Sequence, residues 1–76
     1  MNIEKVHEIL RSHLKGKTVG DDTPLVSSGL IDSMAIVDLI IDLEAMLGVR
    51  IPASEVQPDD FDTPRRIAET VERFRS

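Results

Sequence analysis

The chain has 76 residues and a mass of 8.5 kDa, enough for one small domain, which we expect to span residues 1–76. It contains no cysteine, which excludes disulfide cross-links, thiolate zinc sites and thiol catalysis by the chain. Hydrophobic residues make up 41% of the sequence and aromatic residues only 3%. This composition predicts an aliphatic core and argues against single-stranded nucleic-acid recognition, which depends on aromatic stacking.

The net charge is −5, and the acidic side chains are concentrated in the middle of the chain. Residues 21–62 contain ten acidic side chains and one basic side chain, Arg50, whereas residues 1–20 and 63–76 are each net positive. Such a surface repels nucleic-acid phosphates and anionic lipid and attracts basic protein surfaces. The sequence has no apolar run of 18 residues and no secretory signal, so we expect a cytoplasmic protein without a membrane span.

The N-terminal segment predicts one amphipathic helix followed by a long loop. Apolar residues recur at three- and four-residue steps from Ile3 to Leu14, with Asn2 as the predicted N-cap and Gly16 as the predicted C-terminal stop. Residues 17–31 have no helical period and are rich in turn residues, so we expect a long connecting loop. The apolar side chains that would hold this loop to the core are Leu25, Val26, Leu30 and Ile31.

The second predicted helix begins with Asp32 as its N-cap and ends at about Leu47, before a glycine. In this arrangement the N–H groups of Met34 and Ala35 donate to the Asp32 carboxylate. Ser33 then occupies the first helical position, where it is exposed at the positive end of the helix dipole.

The second helix carries more apolar residues than one buried stripe needs. The predicted core face consists of Ile36, Leu39, Ile40, Leu43, Met46 and Leu47. A second row, turned roughly a quarter-turn or more away, consists of Met34, Val37 and Ile41 and is flanked by Asp38, Asp42 and Glu44. A half-exposed apolar row beside acidic residues is typical of a transient docking surface. The alternative is a helix that is buried over most of its circumference.

The C-terminal part predicts a short helical turn and a last helix. The turn lies at residues 57–61, and the last helix has Thr63 as its N-cap, Pro64 in its first position and an end near Phe74. Residues 49–51 look like a strand, but they have no partner segment. The expected fold is all-α: a three-to-four-helix bundle with a long loop between helices 1 and 2.

No pattern in the sequence predicts a metal site or a hydrolytic site. His7 and His13 lie six residues apart on different faces of one helix, and Val26 stands where an EF-hand loop over residues 21–32 needs glycine. Ser33 is the best-placed hydroxyl, but no histidine stands in a recognisable order with it, so it should not act as a nucleophile unaided. Its position instead favours an attached anion, by about 0.3–1 kcal/mol.

The segment Gly29–Met34, Gly-Leu-Ile-Asp-Ser-Met, resembles the Asp-Ser-Leu/Met motif of the acyl carrier protein family. Two further blocks follow in the family's order: Val49–Pro52 is similar to the segment after the second helix, and Asp62–Pro64 is similar to the start of the last helix. The resemblance covers roughly Ile3–Phe74. The sequence Phe61–Pro64 most resembles discrete aminoacyl and D-alanyl carriers and peptidyl carrier domains.

This resemblance implies a cofactor, its attachment site and a set of partners. It implies that Ser33 carries 4′-phosphopantetheine donated by coenzyme A, and that Asp32 contributes to recognition by the phosphopantetheinyl transferase. Partner enzymes would dock on Met34, Val37, Asp38 and Ile41. They would be the transferase, an adenylating or acyl-loading ligase, and a downstream acyl-accepting enzyme.

The resemblance also implies a function without catalysis by the chain itself. We expect a monomeric carrier that holds an amino acid or another small acyl group as a thioester on the cofactor thiol and delivers it between enzymes. Two alternatives remain open: a fatty-acid or polyketide acyl carrier protein, and an unmodified acidic helical adaptor. The adaptor would never gain the mass of the cofactor.

Overall fold

The computed structural model describes residues 3–75, which form three α-helices and two short 3-10 helices without any strand. The helices are α1 (Ile3–Leu14), α2 (Ser33–Leu47) and α3 (Pro64–Phe74), and the 3-10 helices cover Ala53–Glu55 and Pro58–Phe61. The expected all-α fold, with a long loop between the first two helices, is therefore confirmed. The predicted N-cap Asn2 lies outside the described residues. Within residues 3–75 no helix is both long enough and apolar enough to cross a membrane.

The helix ends follow the local signals in the sequence. Gly48 ends α2 with a left-handed backbone at φ 66°, and its N–H donates to the carbonyl oxygen of Glu44 at 3.0 Å. Thr63 begins α3 because its hydroxyl accepts the N–H of Arg66 at 3.0 Å. These local bonds explain why the boundaries of both helices are found where the sequence predicts them.

One aliphatic core holds the bundle together. Helix α1 packs against both α2 and α3, and the second 3-10 helix packs against α2 and α3. The ring of Phe61, on that 3-10 helix, is fully buried. The core also takes up the long loop, because Leu25 and Ile31 are buried and Val26 and Leu30 pack against the buried cluster, as predicted.

The core face of α2 differs from the prediction at one position. Ile36, Leu39 and Leu43 are buried as expected, but Met46 is 60% exposed, so the prediction is wrong for Met46. At 100° per residue Met46 lies about 80° from the centre of the apolar arc. It lines an open groove of about 240 Å³ between α1, the end of α2 and α3 instead of filling the core.

The segment between α2 and α3 contains one element that the sequence did not reveal. The expected turn at residues 57–61 is present as the 3-10 helix Pro58–Phe61, which begins with reciprocal hydrogen bonds between Gln57 and Asp60. The earlier 3-10 helix, Ala53–Glu55, was not predicted. It is a single turn after a proline, too short for any apolar period to mark it.

Candidate functional site

The N-terminal turn of α2 presents Ser33 at the surface. Asp32 has extended backbone angles, φ −104° and ψ −175°, and its Oδ1 accepts the N–H of Ala35 at 2.9 Å. Of the two donors expected for the Asp32 carboxylate, the structure has Ala35 and not Met34. Ser33 follows as the first residue of the helix and is exposed. Asp32 is therefore the N-cap, as predicted, and fixes the direction in which α2 leaves the loop.

The seven residues before Asp32 form a closed turn, which we call the presenting loop (residues 25–31). The N–H of Ile31 donates to the carbonyl oxygen of Leu25 at 3.0 Å, which joins the two ends of the loop. Inside it, the N–H of Gly29 donates to the carbonyl oxygen of Val26 at 3.0 Å, and Gly29 has a φ of 82° that favours glycine. Both end residues, Leu25 and Ile31, are buried, so the loop leads to Asp32 from a fixed base.

The presenting loop is bound to the start of α3 through Asp62. The N–H of Leu25 donates to the Asp62 carbonyl oxygen at 2.6 Å, and Asp62 Oδ1 accepts the N–H groups of Val26 at 3.0 Å and Ser27 at 2.9 Å. The Ser27 hydroxyl donates to the same carboxylate at 3.2 and 3.3 Å. The hydrogen bond from the Ser27 N–H is the largest effect on the pKa of Asp62 and lowers it; desolvation opposes it, and the Val26 N–H adds a smaller lowering effect. In the sequence, Asp62 was notable only as part of the segment that resembles the start of the family's last helix.

A second connection joins the loop between α1 and α2 to Arg65, in the first turn of α3. The Arg65 guanidinium donates to the Asp22 carboxylate at 2.8 and 3.2 Å, and the Arg65 N–H donates to the carbonyl oxygen of Asp21 at 2.9 Å. The hydrogen bond from Arg65 lowers the pKa of Asp22 and raises that of Arg65. The loop between α1 and α2 is thus held to residues 62–65 at two places.

The second row of α2 is exposed, as the sequence predicts. Met34 is 74% exposed, and Val37 and Ile41 are each 55% exposed. The alternative of a helix buried over most of its circumference is therefore excluded. Among the large hydrophobic residues in the described part of the chain, only Met46 is comparably exposed.

The acids around the second row have different roles. Asp38 is exposed beside it, as expected. Asp42 instead accepts a hydrogen bond from His13 Nε2 at 2.6 Å, and Glu44 accepts the N–H of Ile51 at 2.9 Å. Two of the three acids expected to flank the row therefore hold other parts of the fold together, and Asp38 alone of the three makes no such contact within residues 3–75.

Within residues 3–75 the two histidines are engaged with aspartates and not with Ser33. His7 Nε2 hydrogen-bonds with Asp21 Oδ1 at 2.7 Å, and His13 is bound to Asp42 on the third turn of α2. Neither histidine hydrogen-bonds with Ser33. Within residues 3–75 no group of three or more metal-ligating side chains is close enough together to hold a metal ion.

Comparisons with known proteins agree with this geometry. The family model described as a phosphopantetheine attachment site matches residues 4–71. The chain is 38% identical over 71 residues to a D-alanyl carrier protein of Leuconostoc citreum, covering 91% of this chain and 90% of the relative. It is 40% identical over 55 residues to a D-alanyl carrier protein of Streptococcus thermophilus, covering 72% and 70% of the two chains.

A solved structure extends the likeness to the fold. The solution structure of a holo acyl carrier protein from Nitrosomonas europaea matches with a TM-score of 0.80 and 28% identity, covering 96% of this chain and 94% of that one. The family match, the relatives and the shared bundle together indicate a carrier with a 4′-phosphopantetheine prosthetic group. This chain belongs to the acyl carrier protein family.

Proposed function

We propose that Ser33 is the attachment point of 4′-phosphopantetheine, and that the chain carries an aminoacyl group as a thioester on that arm. The observation that carries this proposal is an exposed serine hydroxyl at the first position of α2, inside the segment that the family model matches. Residues 1–76 would form a single, monomeric, cytoplasmic carrier domain. Coenzyme A would donate the group, and a phosphopantetheinyl transferase would attach it.

The surroundings of Ser33 fit a phosphodiester. The first turn of α2 contains no acidic side chain, and the N–H groups at a helix N-terminus and the helix dipole favour an attached anion by about 0.3–1 kcal/mol. Other serine hydroxyls are already engaged: that of Ser12 donates to Ile9, that of Ser27 to Asp62 and that of Ser28 to Pro24. Ser54 is exposed, but it lies in a single 3-10 turn.

The chain contributes presentation and docking, and we propose that it performs no catalysis. The cofactor supplies the thiol that a chain without cysteine lacks. Asp32 would fix the start of α2 and contribute to recognition by the transferase. Met34, Val37 and Ile41, with Asp38 beside them, would form a docking surface that is small enough for partners to leave quickly.

The names of the relatives support an aminoacyl cargo. Curated proteins at 38–40% identity are named D-alanyl carrier proteins, so D-alanine is the first candidate cargo for this chain. The partners would then be an adenylating ligase that loads the amino acid and an enzyme that accepts it. A fatty-acid or polyketide carrier would instead accept malonyl or acyl groups from an acyltransferase.

The proposal is tested by intact mass after incubation with coenzyme A and a phosphopantetheinyl transferase. Wild type should gain the mass of one phosphopantetheine, Ser33→Ala should gain none, and Ser54→Ala should behave as wild type. Modification of Ser33→Ala would refute the assignment of the site, and an unmodified wild type would support the adaptor alternative. Loading of the modified chain with D-alanine by an adenylating ligase, compared with malonyl transfer by an acyltransferase, distinguishes the cargo classes.

A further inference from the structure

We propose that Asp62 is a positioning residue for the modification of Ser33, because its carboxylate holds the presenting loop that leads to the start of α2. The inference rests on the proposed function and adds a residue that lies 29 positions away from Ser33 in the sequence. Asp62 makes no hydrogen bond to Asp32 or Ser33 in the structure. Any effect on modification must therefore pass through the loop.

Three backbone hydrogen bonds join Asp62 to the presenting loop. Its Oδ1 accepts two consecutive backbone N–H groups, those of Val26 and Ser27, and its carbonyl oxygen accepts that of Leu25. Three successive residues of the loop thus depend on one residue of another segment. Hydrogen bonds from backbone N–H groups to a carboxylate are among the stronger ones in proteins.

Asp62 is itself held firmly. It lies between the 3-10 helix Pro58–Phe61 and α3, and its N–H donates to the carbonyl oxygen of Asp59 at 3.2 Å. Phe61 before it is fully buried, and Thr63 after it caps α3. A side chain carried between two such fixed neighbours is a rigid support for the loop.

The presenting loop leads to Ser33 through Asp32. The bond between the Ile31 N–H and the Leu25 carbonyl oxygen closes the loop on Leu25, one of the three residues that Asp62 holds. Asp32 then caps α2, and Ser33 is the next residue. Without the carboxylate, the N–H groups of Val26 and Ser27 lose their acceptor, and the loop gains alternative conformations. Only a fraction of molecules would then present Ser33 in the arrangement that the transferase binds.

This mechanism predicts which kinetic constant changes. When a binding-competent conformation is only partly populated, apparent affinity falls by that fraction, and the step after binding is unaffected. For Asp62→Ala we expect the KM for the carrier to rise on the order of tenfold with kcat within about twofold, the pattern of a reduced competent fraction. A general loss of folding would lower helical content as well.

The test measures transferase kinetics on four apo proteins: wild type, Asp62→Ala, Asp62→Asn and Asp59→Ala. Asn at position 62 keeps an oxygen that can accept both N–H groups, so it should restore a KM close to that of wild type. The Asp59 carboxylate makes no hydrogen bond among the described residues and lies three residues before Asp62. Asp59→Ala therefore removes one negative charge without removing such a bond, and it is the matched charge control. If Asp62→Ala lacks the helical content of wild type, Asp62→Glu, which displaces the carboxylate by one methylene, takes its place.

Amide hydrogen exchange provides a readout that does not depend on the transferase. In Asp62→Ala the N–H of Ile31 should exchange on the order of tenfold faster, because its loop opens locally. This increase should exceed that at the N–H of Leu10 in α1, which reports on unfolding of the whole domain. An unchanged KM, an equal rise in Asp59→Ala, equal losses in the Ala and Asn variants, or unchanged exchange at Ile31 would each overturn the inference. If wild type is modified at another serine, the proposed function fails, and the exchange data still show whether Asp62 holds the loop.

Discussion

Helix α2 offers a direct comparison between a core position and a position of the proposed docking surface two residues apart. Leu43 has no exposed surface, whereas Ile41 is 55% exposed in the second row. We consider Leu43→Ala and Ile41→Ala, which remove side chains of similar size from one helix. The first should affect stability, and the second should affect partner binding.

The size of the two effects follows from burial. Truncating a fully buried Leu to Ala costs about 2–5 kcal/mol, whereas an exposed truncation changes stability by about 0.5 kcal/mol or less. A domain of this length has a free energy of unfolding of roughly 4–11 kcal/mol, from 0.05–0.15 kcal/mol per residue. At about 4–8 °C per kcal/mol for domains of this size, Tm should fall by about 8 °C or more in Leu43→Ala and by about 4 °C or less in Ile41→Ala.

Thermal and urea unfolding, followed by circular dichroism, measure stability, and the kcat/KM for loading by the adenylating ligase measures docking. Ile41→Ala should lower that kcat/KM by roughly fivefold, the effect of losing about 1 kcal/mol at an interface. Leu43→Ala, assayed well below its Tm, should load nearly as wild type does. Equal losses of stability in both variants would mean that the second row belongs to the core, and our assignment of the docking surface would then be wrong.

Three further predictions concern the ends of α2 and acid pH. Asp32→Ala removes the acceptor for the Ala35 N–H and should lower the free energy of unfolding by about 0.5–2 kcal/mol in urea titrations, whereas unchanged stability would contradict its capping role. Gly48→Ala forces a side chain into a left-handed backbone at φ 66° and should cost about 1–2 kcal/mol by the same measurement, although open space surrounds that position. The pKa values of Asp62 and Asp22 lie below the ordinary 3.8, so the stability these carboxylates contribute is present above about pH 4 and is lost as pH falls through the folded values. The free energy of unfolding of Asp62→Asn should therefore fall less steeply below pH 4 than that of wild type, and parallel curves would contradict the assigned pKa shift.

The sequence predicts the helices well because their signals are local. Asp32, Gly48 and Thr63 each act within about four residues, through a cap or a left-handed turn. The exposed second row was also predictable, since helical periodicity separates it from the core face. Local patterns therefore established both the bundle and the place of Ser33 within it.

What the sequence did not reveal depends on contacts between distant segments. Asp62 resembles any acid near a helix start, and its partners lie 35 and 36 residues earlier in the chain. Asp42 resembles a surface acid until α1 brings His13 against it. Met46 fits the apolar period, but the packing partners needed to bury it are missing at that end of α2. Only the tertiary arrangement decides these three positions.

The dependence of the presenting loop on Asp62 has a consequence for exchanging parts between carriers. A chimera that transplants residues 25–47 onto another scaffold transfers the proposed attachment site and docking surface together, but it leaves the acceptor for Val26 and Ser27 behind. The grafted motif would then sit on an untethered loop despite an identical local sequence. The smallest transferable unit is therefore discontinuous, and it includes the junction at Asp62.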